Sequence, residues 1–208
     1  DRTLQPTCFM FPSVLNMLLS STYLYKLRPR SRFFGRERMT WWSYDDAREV
    51  EVISGCFMLV RRRAIDQVGI MDEGFFMYAE ETDWCYRFQR AGWKVLFAPD
   101  GQIVHLGGQS SKLVQTEMVY QLRAGILQFM KKHHGLIRYR IACLVVSMWF
   151  AARVPYWLFR SLFGVGSRSE SGRAVAAYFM GSLKAIAGYQ SLRCRPPRVS
   201  IARELAGT

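Results

Sequence analysis

The sequence predicts an α/β domain that passes into a helical, basic tail. Three observations carry that expectation. Short apolar runs at 50–60, 94–98 and 102–106 are bounded by glycine or proline, as strands are. Segments with helical spacing lie between and after them. The charge also changes along the chain: residues 1–50 hold 8 basic and 5 acidic side chains, 51–130 hold 8 and 9, and 131–208 hold 13 and 2. The change falls near 131–140, so an α/β segment is expected over 1–135 and a helical tail over 136–208.

The chain has 208 residues, 50% of them hydrophobic, which is enough for a sizeable core and excludes a disordered chain or a small disulfide scaffold. A net charge of +13 leaves nucleic acid or an anionic membrane as partners. The basic excess sits in the most apolar, Trp-containing stretch and does not interleave with an aromatic reading platform. An anionic membrane surface is therefore expected, at the cytoplasmic face, and no nucleic acid. Five scattered cysteines without a CxxC pair read as reduced intracellular thiols rather than zinc ligands. The chain opens at Asp1 with neither a start methionine nor a signal-peptide pattern, so it is expected to be a piece of a longer product.

Taken in order, Phe11 to Leu27 suits a helix after Pro12, and Lys26 to Arg38 a basic loop broken by Pro29 and Gly35. Asp45 and Asp46 are adjacent rather than spaced as DxD, so no metal site is expected there. Val50 to Val60 reads as a buried strand interrupted by Gly55, where a glycine permits close approach of a ligand. Arg62 to Val68 has helical spacing and stops at Gly69. Trp84, Phe88 and Ala91 form the buried stripe of the next helix. Lys94 to Ala98 and Gln102 to Leu106 read as strands, the second closing on His105 and the loop Gly107, Gly108, Gln109, Ser110. Val119 to His134 and Val175 to Leu192 suit helices. Ile141 to Ala152 spans about 18 Å as a helix, too short for a bilayer core of about 30 Å. Extension to Phe163 would bring in Arg153, which at mid-bilayer costs about 2.5 to 3.5 kcal/mol. An in-plane or re-entrant helix is preferred over a true span or soluble packing.

The stretch Met71 to Trp93, MDEGFFMYAEETDWCYRFQRAGW, carries the chemistry. Phe75, Phe76 and Tyr78 form an aromatic shelf before the carboxylates Glu80, Glu81 and Asp83. Acids in a first helical turn are favoured by the helix dipole, so capping alone is one explanation. The other is catalysis. Glu80, Asp83 and Arg87 share one helix face, so Asp83 can pair with Arg87 while Glu81 points about 100° away toward a cleft. A carboxylate beside apolar rings has a raised pKa, which suits a general base. His105 is either a satisfied structural residue or, beside a Gly-Gly loop able to expose amides, part of an anion or metal site.

The order SGCFMLVRR (54–62), VGIMDEGFFMYAEETDWCYR (68–87), AGWKVLFAPDGQIVHLGGQSS (91–111) resembles the second half of the family-two inverting glycosyltransferases, especially the bacterial rhamnosyltransferase-like branch. The resemblance covers about residues 1–135 and is dense over 52–111. It implies the C-terminal portion of a GT-A, Rossmann-like fold, a nucleotide-diphosphate sugar donor, a glycan or lipid-linked acceptor, a divalent cation (Mg or Mn) and inversion in cell-surface polysaccharide synthesis. Carried over by position, the family's acidic pair falls on Glu80 and Glu81, the second as base. Its histidine near metal and diphosphate falls on His105, and its FDE segment on Met71, Asp72 and Glu73. Gly55, Phe76, Tyr78, Arg87, Gly107, Gly108, Gln109 and Ser110 are the candidate substrate-binding residues, and Asp83 joins Glu80 and Glu81 as a catalytic candidate. The family's nucleotide-binding half with its DxD motif would lie before Asp1, so these residues alone are expected to transfer no sugar. The competing expectation is a non-enzymatic, membrane-associated remnant or adaptor.

Overall fold

The structure, a computed structural model, describes residues 4–105, 115–163 and 168–194. Cys8–Phe9 (β1) pairs antiparallel with Val52–Ile53 (β3), Cys8 opposite Ile53. Between them come the helices Val14–Thr22 (α1) and Leu24–Leu27 (α2) and the strand Arg48–Glu49 (β2). Arg62–Val68 (α3) and Glu80–Arg90 (α4) follow, and Leu96–Phe97 (β4) pairs antiparallel with β2. The rest is helical: Gln115–His133 (α5), Gly135–Ala151 (α6), Val154–Leu162 (α7), Arg168–Ala187 (α8) and Tyr189–Leu192 (α9).

The helices meet the expectation better than the strands do. The helix expected over 11–27 starts after Ser13, whose hydroxyl accepts from the Asn16 amide, and breaks at left-handed Tyr23. The buried strand expected over 50–60 is corrected to the two residues of β3. Beyond Gly55 no strand among the described residues pairs with the chain, and Phe57 and Leu59 stand 60% and 94% exposed while Met58 and Val60 pack inward. This is strand-like alternation without pairing. The strand over 94–98 contracts to β4, and the described part of 102–106 is not a strand. Among the described residues the strands form two separate antiparallel pairs, so the expected α/β layering is largely α-helical here.

α4 is the pin of the fold. Cys85 is buried with Cys8, Val50 and Val95 beneath the small sheets. Trp84 and Phe88 pack on Ala64, Ile65 and Val68 of α3, and the Trp84 indole N–H donates to the Gly69 carbonyl at the end of that helix. On a third side Tyr86 meets Phe11 and Phe129 edge-on, with centroids 5.1 and 5.4 Å away. An element held on three sides can aim its first turn precisely.

The largest hydrophobic cluster joins Phe75 and Ala79 to Leu127, Phe129 and Met130 of α5, Val146 and Phe150 of α6, and Ala185 and Leu192. It runs across the composition change at 131–140. α6 and α8 cross closely because Gly181 has no side chain: a Cβ there would lie 2.8 Å from the Phe150 ring. The Ser147 and Ser182 hydroxyls bond across the same crossing at 2.9 Å. The outer faces of these helices have no partner among the described residues. Ile137, Ile141, Leu144 and Met148 on α6, Phe159 and Leu162 on α7, and Phe179, Leu183 and Ile186 on α8 are all exposed. The stretch Gly135–Leu162 is long and apolar enough to cross a membrane by length and composition, although it bends between α6 and α7.

Candidate active site

The loop before α4 is shaped from both ends. The Asp72 carboxylate accepts from the Gly74 amide at 2.7 Å and from Lys132 at 2.6 Å. Tyr78 and Ala79 both have left-handed backbones, φ 66° and 70°. Non-glycine residues reach this region only when their surroundings hold them there. α5 provides that hold. Gln121 donates to the Met77 carbonyl at 3.0 Å, Gln128 to the Gly74 carbonyl at 2.9 Å, and Gly125 lets the turn close in, since a Cβ on it would lie 2.4 Å from the Tyr78 oxygen. Residues 121, 125, 128 and 132 share one helix face.

That loop places the three acids of α4 in different surroundings. Asp83 is 0% exposed and accepts from Arg87 Nε at 2.8 Å, Lys132 Nζ at 2.7 Å and His133 Nε2 at 2.7 Å. Burial works to raise its pKa, but the bonds from Lys132, His133 and Arg87 outweigh it and hold the carboxyl below the usual range. Arg87 spends its remaining nitrogens on the Val68 and Ile70 carbonyls at 3.0 and 2.8 Å. Asp83 and Arg87 thus tie α4 to α5 and to the end of α3. Asp83 is fully buried, and each Arg87 nitrogen has a protein partner.

Glu81 is the opposite case. It is half-buried against Gly55, where an added Cβ would come 3.7 Å from its own Cβ. Burial first, then the Glu80 charge, push its pKa up to about 7, against the backbone amides of Glu81, Thr82 and Ala79. Glu80 Oε2 is shielded from solvent without a hydrogen-bond partner among the described residues. Of the aromatic shelf, Phe75 turns into the core at 6% exposure, whereas Phe76 remains outside at 38% and Tyr78 is half-buried. Glu80, Glu81, Gly55, Phe76 and Tyr78 therefore belong to the same loop-and-helix region.

His105 is exposed and bonds through Nδ1 to Gln5 at 3.1 Å. Gly107, Gly108, Gln109 and Ser110 lie outside the described residues. Asp46 is bonded to Arg48 and Trp42. Among the described residues no group of three metal-ligating side chains converges, so they do not by themselves supply a donor set for a divalent cation.

The motif-bearing region fits one family. Residues 4–124 match the model of the glycosyltransferase-like family 2. The chain belongs to that family. Within it, an N-acetylglucosaminyl-diphospho-decaprenol L-rhamnosyltransferase of Mycobacterium tuberculosis is 30% identical over 107 residues, covering 50% of this chain and 34% of the relative. The rhamnosyltransferase WbbL of Escherichia coli K12 is 38% identical over 56 residues, 27% of this chain and 21% of its own. The chain spans about a third of the length of the mycobacterial relative it matches. No solved structure matches it. Family 2 membership implies the GT-A fold, and members of the family commonly use divalent cations.

Sequence reasoning expects the helix over 119–134 that becomes α5 but gives its side chains no part in the site. Gln121, Gln128, Lys132 and His133 build the loop and anchor α4, yet they face it from 44 to 60 residues away. The available signal was a glycine inside a helical pattern, Gly125, flanked by polar residues at helical spacing.

Proposed function

We propose that this chain carries the acceptor side and the general base of an inverting sugar transferase. Glu81 takes the proton of the acceptor hydroxyl as the acceptor oxygen bonds to the anomeric carbon. The bond from that carbon to the nucleotide diphosphate breaks, and its electron pair leaves with the diphosphate. Phe76 and Tyr78 offer rings for a sugar to lie against, Gly55 leaves room beside the base, and Asp83 and Arg87 fix the helix that aims it. The observation that carries the reading is Glu81 itself. It is half-buried beside another carboxylate, at the start of a rigid helix, with a pKa of about 7 suited to taking a proton near neutral pH.

The donor in this reading is a nucleotide-diphosphate sugar, with L-rhamnose the first to try. The acceptor is an N-acetylglucosaminyl diphosphate on a polyprenol, the chemistry named in the mycobacterial relative. Such an acceptor lies in a membrane, and the exposed apolar faces of α6, α7 and α8 suit docking at its cytoplasmic surface. A divalent cation and a metal role for His105 remain part of the proposal on family grounds alone. The test is rhamnose transfer to that acceptor in membranes containing the protein expressed from its whole open reading frame. Glu81→Gln keeps the shape and removes the base, and is expected to lower turnover by about 100-fold or more with donor binding little changed. Near-normal turnover would refute the assignment.

A further inference from the structure

A second cluster lies at the edge of the apolar face. The Trp149 indole packs against two guanidinium groups, Arg153 with its central carbon 3.5 Å from the ring centroid and Arg123 at 4.0 Å. Arg153 also donates to the Tyr23 hydroxyl at 2.6 Å. Tyr23 neighbours Tyr25 at 6.0 Å, and Arg38 lies 5.3 Å from the Tyr25 ring. Cations and rings therefore form one line of contacts, Arg38, Tyr25, Tyr23, Arg153, Trp149 and Arg123, from the basic loop through α2 and the bend after α6 to α5. Lys26 adds a further charge over Tyr23.

This cluster is short of negative charge. Glu37 is the carboxylate that attracts Arg123, but the two make no ion pair, and Arg123 Nε and Glu37 Oε2 are both shielded and without hydrogen-bond partners. Burial and the neighbouring Arg153 and Arg38 charges depress the Arg123 pKa to about 10, against the pull of Glu37 and Tyr23. A shielded guanidinium with an unmet donor and like-charged neighbours is costly, and an anion would relieve both costs. Arg153 sits at the bend between α6 and α7, flanked along the helices by the exposed Met148, Tyr156 and Phe159. An anion reaching it from that side would come from the level of lipid headgroups.

We propose that Arg123, Arg153 and Arg38, framed by Trp149 and Tyr23, bind the phosphate of a membrane lipid, either the diphosphate of a lipid-linked substrate or a phospholipid headgroup. Planar guanidinium groups suit phosphate oxygens, and the rings hold them in place without neutralising them. The inference rests on the membrane reading of α6–α8 and extends it by naming where on that face the lipid phosphate is held.

The test uses the protein in a neutral maltoside detergent, with pyrophosphate and dodecyl phosphate as probes and tryptophan fluorescence and thermal midpoint as readouts. Both readouts are expected to shift saturably with dodecyl phosphate. Arg153→Gln and Arg38→Gln should each raise the half-saturating concentration by about tenfold. Arg38 is an exposed position, so its variant keeps the test valid if changes at Arg153 or Arg123 disturb folding. Binding of pyrophosphate as well would identify a diphosphate read without its tail, and binding of dodecyl phosphate alone a tethered phosphate. No saturable shift with either probe, or unchanged binding in both variants, would overturn the proposal. Partition into neutral phosphatidylcholine vesicles reports the apolar face separately, so failure of the membrane reading is distinguishable from failure of the phosphate site.

Discussion

Glu81 and Asp83 are two residues apart on one helix and lie on opposite sides of the usual carboxylate range. Asp83 accepts from Lys132, His133 and Arg87, which hold its carboxyl below the usual range, whereas Glu81 has burial and another acid and holds its proton to about pH 7. The sign of the Glu81 effect on stability follows. Its folded pKa lies above the ordinary 4.5, so the folded state binds the proton more tightly than the unfolded chain does. Ionisation therefore costs stability progressively from pH 4.5 up to about 7, and fully above it. Glu81→Gln is expected to stabilise the protein on the order of 1 kcal/mol at about pH 8.5, a figure reduced for solvent screening, and to have no such effect near pH 4. Urea unfolding at the two pH values measures it. Equal stabilities at the higher pH would mean that the carboxylate is not desolvated. In the wild type, turnover should rise through about pH 7 as Glu81 loses its proton.

At the scale of elements the site is an arrangement between α4 and α5. Gly125→Ala would place a methyl group 2.4 Å from the Tyr78 oxygen, against backbone rather than a flexible side chain. The left-handed turn at 78–79 must then move, and with it the start of α4. A loss of about 1–3 kcal/mol is expected, as for overpacking elsewhere, together with lower turnover. Thermal unfolding and the transfer assay check both, and wild-type values for both would show that the turn does not aim the base. The legible parts of this arrangement were local. The Trp84 and Phe88 stripe, the Asp83–Arg87 pair and the stop of α3 at Gly69 all follow from spacing within a few turns of one helix. What could not be read was long-range. Lys132 and His133 reach Asp83 from about 50 residues away, and nothing in their own neighbourhood marks them as partners. The strands were misjudged for the same reason: Phe57 to Val60 has strand alternation, but pairing depends on a distant strand, and among the described residues none pairs with it.

At the scale of the molecule, α6 does two things at once. Its inner face, with Val146 and Phe150, completes the core that also holds Phe75 and Ala79 of the candidate-site loop. Its outer face continues into the exposed side chains of α7 and α8. If that face docks at a membrane, docking and the candidate site share one helix. Lys131, Arg138 and Arg140 lie near the start of α6, and each surface cation adds about 1 kcal/mol toward an anionic bilayer at low salt. The protein is expected to sediment with vesicles containing anionic lipid and to be partly released as salt rises. Phe159→Ser with Leu162→Ser should abolish that binding at every salt concentration while leaving the unfolding midpoint nearly unchanged, because both side chains are already exposed in the folded chain. Sedimentation of the double variant equal to wild type would show that the apolar face is not what meets the lipid. Equal binding of the wild type to neutral and anionic vesicles would show that the basic flank is not involved.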